Sequence, residues 1–128
     1  YGAAVVRPDF TGSLTTPDYT FADLSYTDEA GYTVNTASYG AGAWQPTSTD
    51  YDARGNVVRS LDAGAIAAVV AGGNPGMADQ LATTTVYNPA DIPATDGTGS
   101  VLTPARSQVT DTYGPARLVA MSGTTDSR

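Results

Sequence analysis

Apolar and polar residues alternate in several short runs along the chain, and each run ends near Gly, Pro, Asn or Asp. The clearest runs are residues 18–26, 32–39, 47–52 and 56–61. Alternation with a period of two places successive side chains on opposite faces of a strand. Weaker runs add strands at residues 1–6, 83–88, 106–113 and 117–121. The pattern predicts an all-β fold built from consecutive antiparallel hairpins.

The period changes at residues 62–82, which carry a helical pattern. Asp62 is a suitable N-cap for an alanine-rich run, and Gly72-Gly73 is a suitable C-terminal stop. Asn74-Pro75 then begins a second, shorter helix. The apolar residues of the first helix recur at a spacing of three to four, which places them on one face: Ile66, Val69 and Val70. We expect a short α-helical insertion at about residues 62–82.

The connections are predicted from Gly and Pro. Residues 39–43 are expected to form a flexible bend, and Pro46 is expected to end the element after it, since proline donates no hydrogen bond to a ladder. Residues 89–103 are expected to form a long loop. The strands at residues 106–113 and 117–121 are expected to pair with each other as the last hairpin.

A tight turn is predicted where Tyr51 and Asp52 precede Gly55. The Asp52 carboxylate suits the first position of a type I turn, because it accepts hydrogen bonds from the backbone two residues later. Gly55 suits the left-handed conformation that closes such a hairpin, because it has no Cβ. We therefore expect a tight turn over residues 52–56 with Gly55 at positive φ.

The same combination recurs in altered form at three other places. In residues 25–34 the tyrosine stands one residue early. In residues 86–91 Asn88 and Asp91 take the places of the aspartate and the glycine. Residues 112–119 keep only a tyrosine, a Gly-Pro turn and the apolar residues after it. The tyrosines lie 25, 36 and 26 residues apart, a spacing typical of repeat architectures. The repeat residues are Tyr26, Asp28, Gly31, Tyr51, Asp52, Gly55, Tyr87, Asn88, Tyr113 and Gly114.

The run Tyr51-Asp52-Ala53-Arg54-Gly55-Asn56-Val57 resembles the YD repeat of RHS and teneurin-like proteins, and residues 87–121 resemble the sequence between repeats in large secreted bacterial RHS proteins. The resemblance implies that residues 1–128 are one repeat-containing segment of a larger spiralling β-shell. Such shells enclose a toxin-type domain or carry surface-interaction domains. RHS proteins that cleave themselves use an Asp-Pro-x-Gly core, and this sequence has no Asp-Pro.

The function implied by the resemblance is structural and non-catalytic. The segment would belong to a secreted or cell-surface protein that encapsulates or presents another polypeptide. Its partners would be other repeats of the parent chain, or identical subunits, along the edge strands, together with a polypeptide cargo. No cofactor is implied.

Large aliphatic residues are scarce, and this bears on assembly. Val, Leu, Ile and Phe total 21 of 128 residues, whereas the chain has 20 Ala, 19 Thr and eight Tyr. Tyr and Thr suit a sheet with one apolar and one wet face. Because small side chains bury little apolar area each, we expect the sheet to depend on neighbouring repeats and the chain not to be a compact monomer alone.

Charge excludes some partners. The net charge is −7, there is no lysine, and the six arginines are scattered, so neither nucleic acid nor an anionic membrane surface is an expected partner. No apolar run reaches the length of a membrane span, so we expect no membrane insertion. There is no cysteine, so the sequence does not indicate the redox compartment.

The side chains of most catalytic sites are absent. Without His, Cys or Lys, a Ser-His-Asp triad, a thiolate nucleophile, a Schiff base and ordinary zinc sites are excluded. The thirteen carboxylates lie mostly at predicted turns and caps, so we expect no enzymatic activity and no bound transition metal. Asp50, Asp52 and Asn56 place three oxygen-bearing side chains around one turn and form a candidate calcium site.

Two other functions remain open from the residues. One is a secreted binding module, an adhesin or a carbohydrate-binding β-domain. The other is a self-assembling extracellular fibre subunit, because exposed sheet edges invite strand addition. The binding module would use a platform of aromatic side chains: Trp44, Tyr19, Tyr26, Tyr32, Tyr39, Tyr51, Tyr87 and Tyr113.

Overall fold

The computed structural model describes residues 1–12, 19–95, 97–116, 118–121 and 124–127. Its strands are β1 (Gly2–Val6), β2 (Ala22–Thr27), β3 (Thr33–Gly40), β4 (Ala43–Tyr51), β5 (Val57–Leu61), β6 (Thr83–Tyr87), β7 (Ile92–Pro93), β8 (Val101–Thr103), β9 (Val109–Tyr113), β10 (Leu118–Met121) and β11 (Thr124–Ser127). Seven of them form one antiparallel sheet in the order β1-β2-β3-β4-β5-β6-β9. The predicted all-β class with antiparallel hairpins is confirmed.

The predicted helical insertion is also confirmed, as α1 (Ala63–Gly72) and α2 (Met77–Leu81) between β5 and β6. Asp62 caps α1, since its carboxylate accepts a hydrogen bond from the Ala65 N–H at 2.8 Å. Gly73 ends the helix in the left-handed conformation, with φ of 60°, and donates to the Val70 carbonyl. Among the described residues, neither helix is long and apolar enough to cross a membrane.

The two faces of the sheet differ in chemistry. Arg59 of β5 forms an ion pair of 3.0 Å with Asp79 of α2, so the helices lie on the face to which Arg59 and Leu61 point. The register aligns hydroxyl side chains across neighbouring strands on the other face, and Thr36 and Thr47 share a hydrogen bond of 2.7 Å there. These hydroxyl residues are Ser25, Thr36, Thr47, Thr49, Ser60, Thr83 and Thr85.

One predicted interruption is in place and the other is wrong. The bend at residues 39–43 is a tight turn in which Ala41 and Gly42 both have positive φ, the geometry that matches strand twist in a two-residue hairpin. Pro46 does not end the strand, because β4 continues to Tyr51. Pro46 lies opposite Ala37 of β3, whereas pairing with β5 begins only at Ser48, so β4 has a single neighbour at the proline.

The predicted last hairpin is wrong as well. The strand at residues 109–113 pairs with β6, not with residues 118–121, which pair with β11. The connection from β6 to β9 carries the small hairpin β7–β8 within the expected loop. The chain therefore places β9 at one edge of the main sheet and β1 at the other.

The buried core is small. Among the described residues only four are buried: Ala22, Leu61, Ala82 and Asn88. Several large apolar side chains remain exposed, such as Val5 at 66% and Tyr113 at 59%. Most of the stability of the sheet must therefore come from ladder hydrogen bonds and half-buried contacts.

Candidate functional site

Three hairpins of the main sheet share one register. They are β2–β3, β4–β5 and β6–β9, and each has a β-bulge at the same place beside its turn. Far from the turn, the equivalent pairs are Leu24–Ala37, Ser48–Leu61 and Thr84–Tyr113. Just before the bulge they are Tyr26–Asn35, Asp50–Arg59 and Val86–Asp111. Beside the turn they are Thr27–Thr33, Tyr51–Val57 and Tyr87–Val109. The chain thus contains three structural repeats. Their turns lie at the same end of the strands, here called the turn end of the sheet.

The first two turns have the same hydrogen bonds. The Asp52 carboxylate accepts from the N–H groups of Arg54 and Asn56, at 2.9 and 3.0 Å. The Asp52 N–H donates to the Asn56 carbonyl, and the Asp52 carbonyl accepts from the Gly55 N–H. Asp28 accepts from Ala30 and Tyr32 in the same way. The predicted tight turn at residues 52–56 is confirmed, because Gly55 has φ of 83°.

The third turn uses asparagine because its carbonyl neighbours require a donor. The Asn88 Oδ1 accepts from Ser107 and Gln108, as the aspartates accept in the other turns, while its Nδ2 donates to the carbonyls of Ala90 and Pro104 at 2.8 and 2.9 Å. A carboxylate has no proton to offer these carbonyls. Asn88 is 3% exposed, so all four bonds replace contacts with water.

The prediction that Asp91 takes the glycine position is wrong. The left-handed residue of the third turn is Arg106, with φ of 57°, and it donates to the Asn88 carbonyl. The Asp91 carboxylate instead accepts from the Ala105 N–H at 2.7 Å, at the base of the connection. Seventeen residues, 89–105, therefore lie between Asn88 and Arg106, where the second turn has two between Asp52 and Gly55.

Tyrosine joins successive hairpins. The Tyr51 hydroxyl donates to the carbonyl of Thr33, the first residue of β3, at 3.0 Å. The Tyr87 hydroxyl donates to the carbonyl of Val57, the first residue of β5, at 3.2 Å. Both tyrosines stand directly before the Asx residue of their own turn, so each hairpin is fastened to the one before it by the same bond. We call this bond the tyrosine clamp.

A second contact also recurs between turns. The residue after one turn lies against the left-handed residue of the next. The Tyr32 ring occupies the space where a Cβ on Gly55 would stand, with Cζ 2.7 Å from that position, and it stacks on Tyr51 at 4.9 Å. The Asn56 Nδ2 donates to the Arg106 carbonyl at 2.8 Å. Gly55 is thus required by packing as well as by its φ.

Two of the predicted repeat tyrosines lie away from the clamp position. Thr27 stands where Tyr51 and Tyr87 stand, and Tyr26 is one residue earlier. Tyr113 lies at the far end of β9, opposite Thr84, and the neighbouring Gly114 does not have positive φ. These two residues therefore begin no fourth turn of this type.

Asp52 is a carboxyl at the turn end whose pKa the turn lowers. The N–H of Asn56 lowers the pKa of this carboxyl, and the N–H of Arg54, the Asn56 amide and the Arg106 guanidinium lower it further, against an opposing effect of burial. The Arg106 Nη1 is 3.7 Å from the Asp52 Oδ2. Arg54 donates to the Ala105 carbonyl at 2.6 Å. The second and third turns are therefore joined by polar contacts of both arginines.

The candidate calcium residues are engaged in other bonds. Asp50 accepts from Arg59 at 2.9 Å, while Asp52 accepts turn N–H groups. Asn56 presents its nitrogen, not its oxygen, to Asp52. Among the described residues no group of three acidic side chains could hold a metal ion. The calcium site stays a prediction to which this geometry adds no support.

The aromatic side chains form pairs, not one flat platform. Tyr39 and Trp44 lie at the end of the sheet opposite the turn end, with ring centroids 5.5 Å apart and planes at 76°. Rings at that angle do not both stack on one sugar face. Tyr32 and Tyr51 stack on each other, which occupies one face of each ring.

The sequence indicated the three Asx residues and the glycines of the first two turns, but not the contacts between hairpins. Tyr32, Asn56 and Arg106 carry the contacts between turns, and none belongs to the repeated combination. The signal for Tyr32 was its place directly after a turn glycine, which Asn56 shares. Nothing local marks Arg106, because its partners are about fifty residues away in sequence.

Comparison of the chain with protein-family models, with curated proteins and with solved structures found no match.

Proposed function

We propose that the chain is a non-catalytic structural segment of a secreted β-shell of the YD-repeat type, which encapsulates or presents another polypeptide. The observation that supports the proposal most is the tyrosine clamp, repeated with one register between successive hairpins. The tyrosine of the repeated combination bonds to the neighbouring hairpin and the Asx residue bonds to its own turn, which favours a structural role for both.

Two further observations favour a scaffold that has neighbours. The described core is small and large apolar side chains are exposed, which is costly for an isolated domain and ordinary for a unit of a repeat array. Both edge strands of the main sheet are exposed along their whole length. An uncovered edge invites pairing with another strand.

The test is limited proteolysis of the native parent polypeptide, purified from the cells that produce it. A shell predicts that trypsin spares this segment and an enclosed polypeptide under native conditions, and that both are cut after mild acid or urea opens the assembly. A parent polypeptide whose other segments are cut freely, with no protected cargo, contradicts encapsulation. Enzymatic turnover abolished by one folded carboxylate variant contradicts the non-catalytic role.

A further inference from the structure

We propose that the outer edge of β9 is a docking site for the first strand of a further hairpin, one that carries Tyr followed by Asp or Asn. The proposal rests on the proposed scaffold function for the source of that hairpin, which lies outside residues 1–128. It deepens that function by naming the interface and its register. Two observations together support it. The sheet contains two complete interfaces of one kind, β3 with β4 and β5 with β6, and the equivalent outer side of β9 has no strand against it among the described residues.

The two completed interfaces define what β9 lacks. β3 receives β4, and β5 receives β6, each with a tyrosine clamp on the first carbonyl of the receiving strand. At both interfaces, the second residue pair counted from the turn end joins equivalent positions. Thr36 lies opposite Thr47, and Ser60 lies opposite Thr83. The residue of β9 that corresponds to Thr36 and Ser60 is Thr112.

The receiving groups of β9 are in place. Val109 corresponds to Thr33 and Val57, so its carbonyl is the acceptor for the next clamp. Gln108 corresponds to Tyr32 and Asn56, which contact the left-handed residue of the next turn. All five residues of β9 are exposed, and Val109 is 49% exposed. Within the described part of the chain, β9 has β6 as its one strand partner.

A second copy of this chain offers no free edge strand that carries a clamp tyrosine. All pairings of the main sheet are antiparallel, so its seven strands leave β1 and β9 running in the same direction. Head-to-tail copies would therefore join by a parallel pair, unlike every other pair in this sheet. The strands that carry the clamp tyrosines, β4 and β6, have neighbours on both sides. Two copies paired through β9 would be antiparallel, but β9 has no tyrosine directly before an Asx residue, so that pair would lack the clamp. The partner that completes the same interface is another hairpin, entering antiparallel to β9.

The test uses the chain's own second hairpin as the probe, a synthetic peptide of residues 43–61. Because the chain has no cysteine, engineered thiols are the only ones present. The variant Thr112→Cys is mixed with the probe carrying Thr47→Cys in a glutathione buffer. Opposed residues of an antiparallel pair have Cβ atoms about 4.5–5.5 Å apart, close enough for a disulfide after small adjustment.

The expected result is a mixed disulfide with the Thr47→Cys probe at least tenfold above that with a Ser48→Cys probe, whose thiol projects from the other face. A Thr47→Cys probe that also carries Tyr51→Phe should require an about three- to tenfold higher concentration, since it lacks the clamp hydroxyl. Equal cross-linking of the two cysteine probes, or none at millimolar probe, overturns the proposal.

Two controls separate the alternatives. Cross-linking of the probe to Thr36→Cys instead of Thr112→Cys would show that it displaces β4, and would also overturn the proposal. Selective cross-linking at Thr112→Cys, with no protected cargo in the parent polypeptide, would leave this interface standing and remove the encapsulating function. Protected cargo without the cross-link would overturn this interface and leave the encapsulating function standing.

Discussion

Replacing Asn88 by Asp should destabilise the protein in a pH-dependent way, although Asp serves in both other turns. The new carboxyl would stand 2.8 and 2.9 Å from two carbonyl oxygens, on a side chain that is 3% exposed. As a carboxylate it would repel both oxygens. As an acid it would donate to one of them, so the folded state raises the pKa of the introduced group.

The magnitude follows from keeping that carboxyl neutral. Against an ordinary Asp pKa of about 3.9, protonation at pH 7 costs about 4 kcal/mol, and the cost falls by about 1.4 kcal/mol for each unit of acidification. The sign is fixed by the raised folded pKa: the penalty is largest at neutral pH and shrinks as pH approaches the unfolded pKa. For 128 residues, 4 kcal/mol corresponds to a Tm lowered by about 15 °C.

The assay is urea unfolding of N88D and wild type at pH 7, 6 and 5, with trypsin cleavage after Arg106 as a local readout of turn opening at pH 7. Asp52→Asn is the matched control, because Asn88 shows that an amide oxygen accepts the same turn bonds. A pH-independent penalty for N88D, or one no larger than that of D52N at pH 7, would refute the account of the third turn.

Three further outcomes are expected. Gly55→Ala should cost about 1 kcal/mol more in urea unfolding than Gly31→Ala, since both have positive φ but only Gly55 faces the Tyr32 ring; equal costs would contradict this. Because folding lowers the pKa of Asp52, its stabilisation is present above about pH 3.9 and is lost as pH falls through the folded value. The free energy of unfolding should therefore fall less on acidification in D52N than in wild type, and equal falls would contradict this. Asp62→Ala should cost about 1 kcal/mol and lower helical circular dichroism; unchanged helix signal would oppose the N-cap role.

The sequence determined those features whose bonds close within about five residues. The turn at residues 52–56, the Asp62 cap and the Gly73 stop were all predicted, because side-chain oxygens and missing Cβ atoms act on their own neighbourhood. Alternation was sufficient for the strand class, because a period of two is a property of the strand itself. The sequence also identified Asn88 as a turn residue.

Only the tertiary structure decided which strands meet and what lies between them. Asn88 closes its turn with Gln108, twenty residues away, and no local pattern fixes a closure across an insertion of that length. Pro46 is tolerated because β5 stops short of it, which depends on where the helices begin. The clamp and the Tyr32–Gly55 contact join successive hairpins. The local sequence sets each hairpin, whereas the packing of one hairpin on the next arises only when the sheet is assembled.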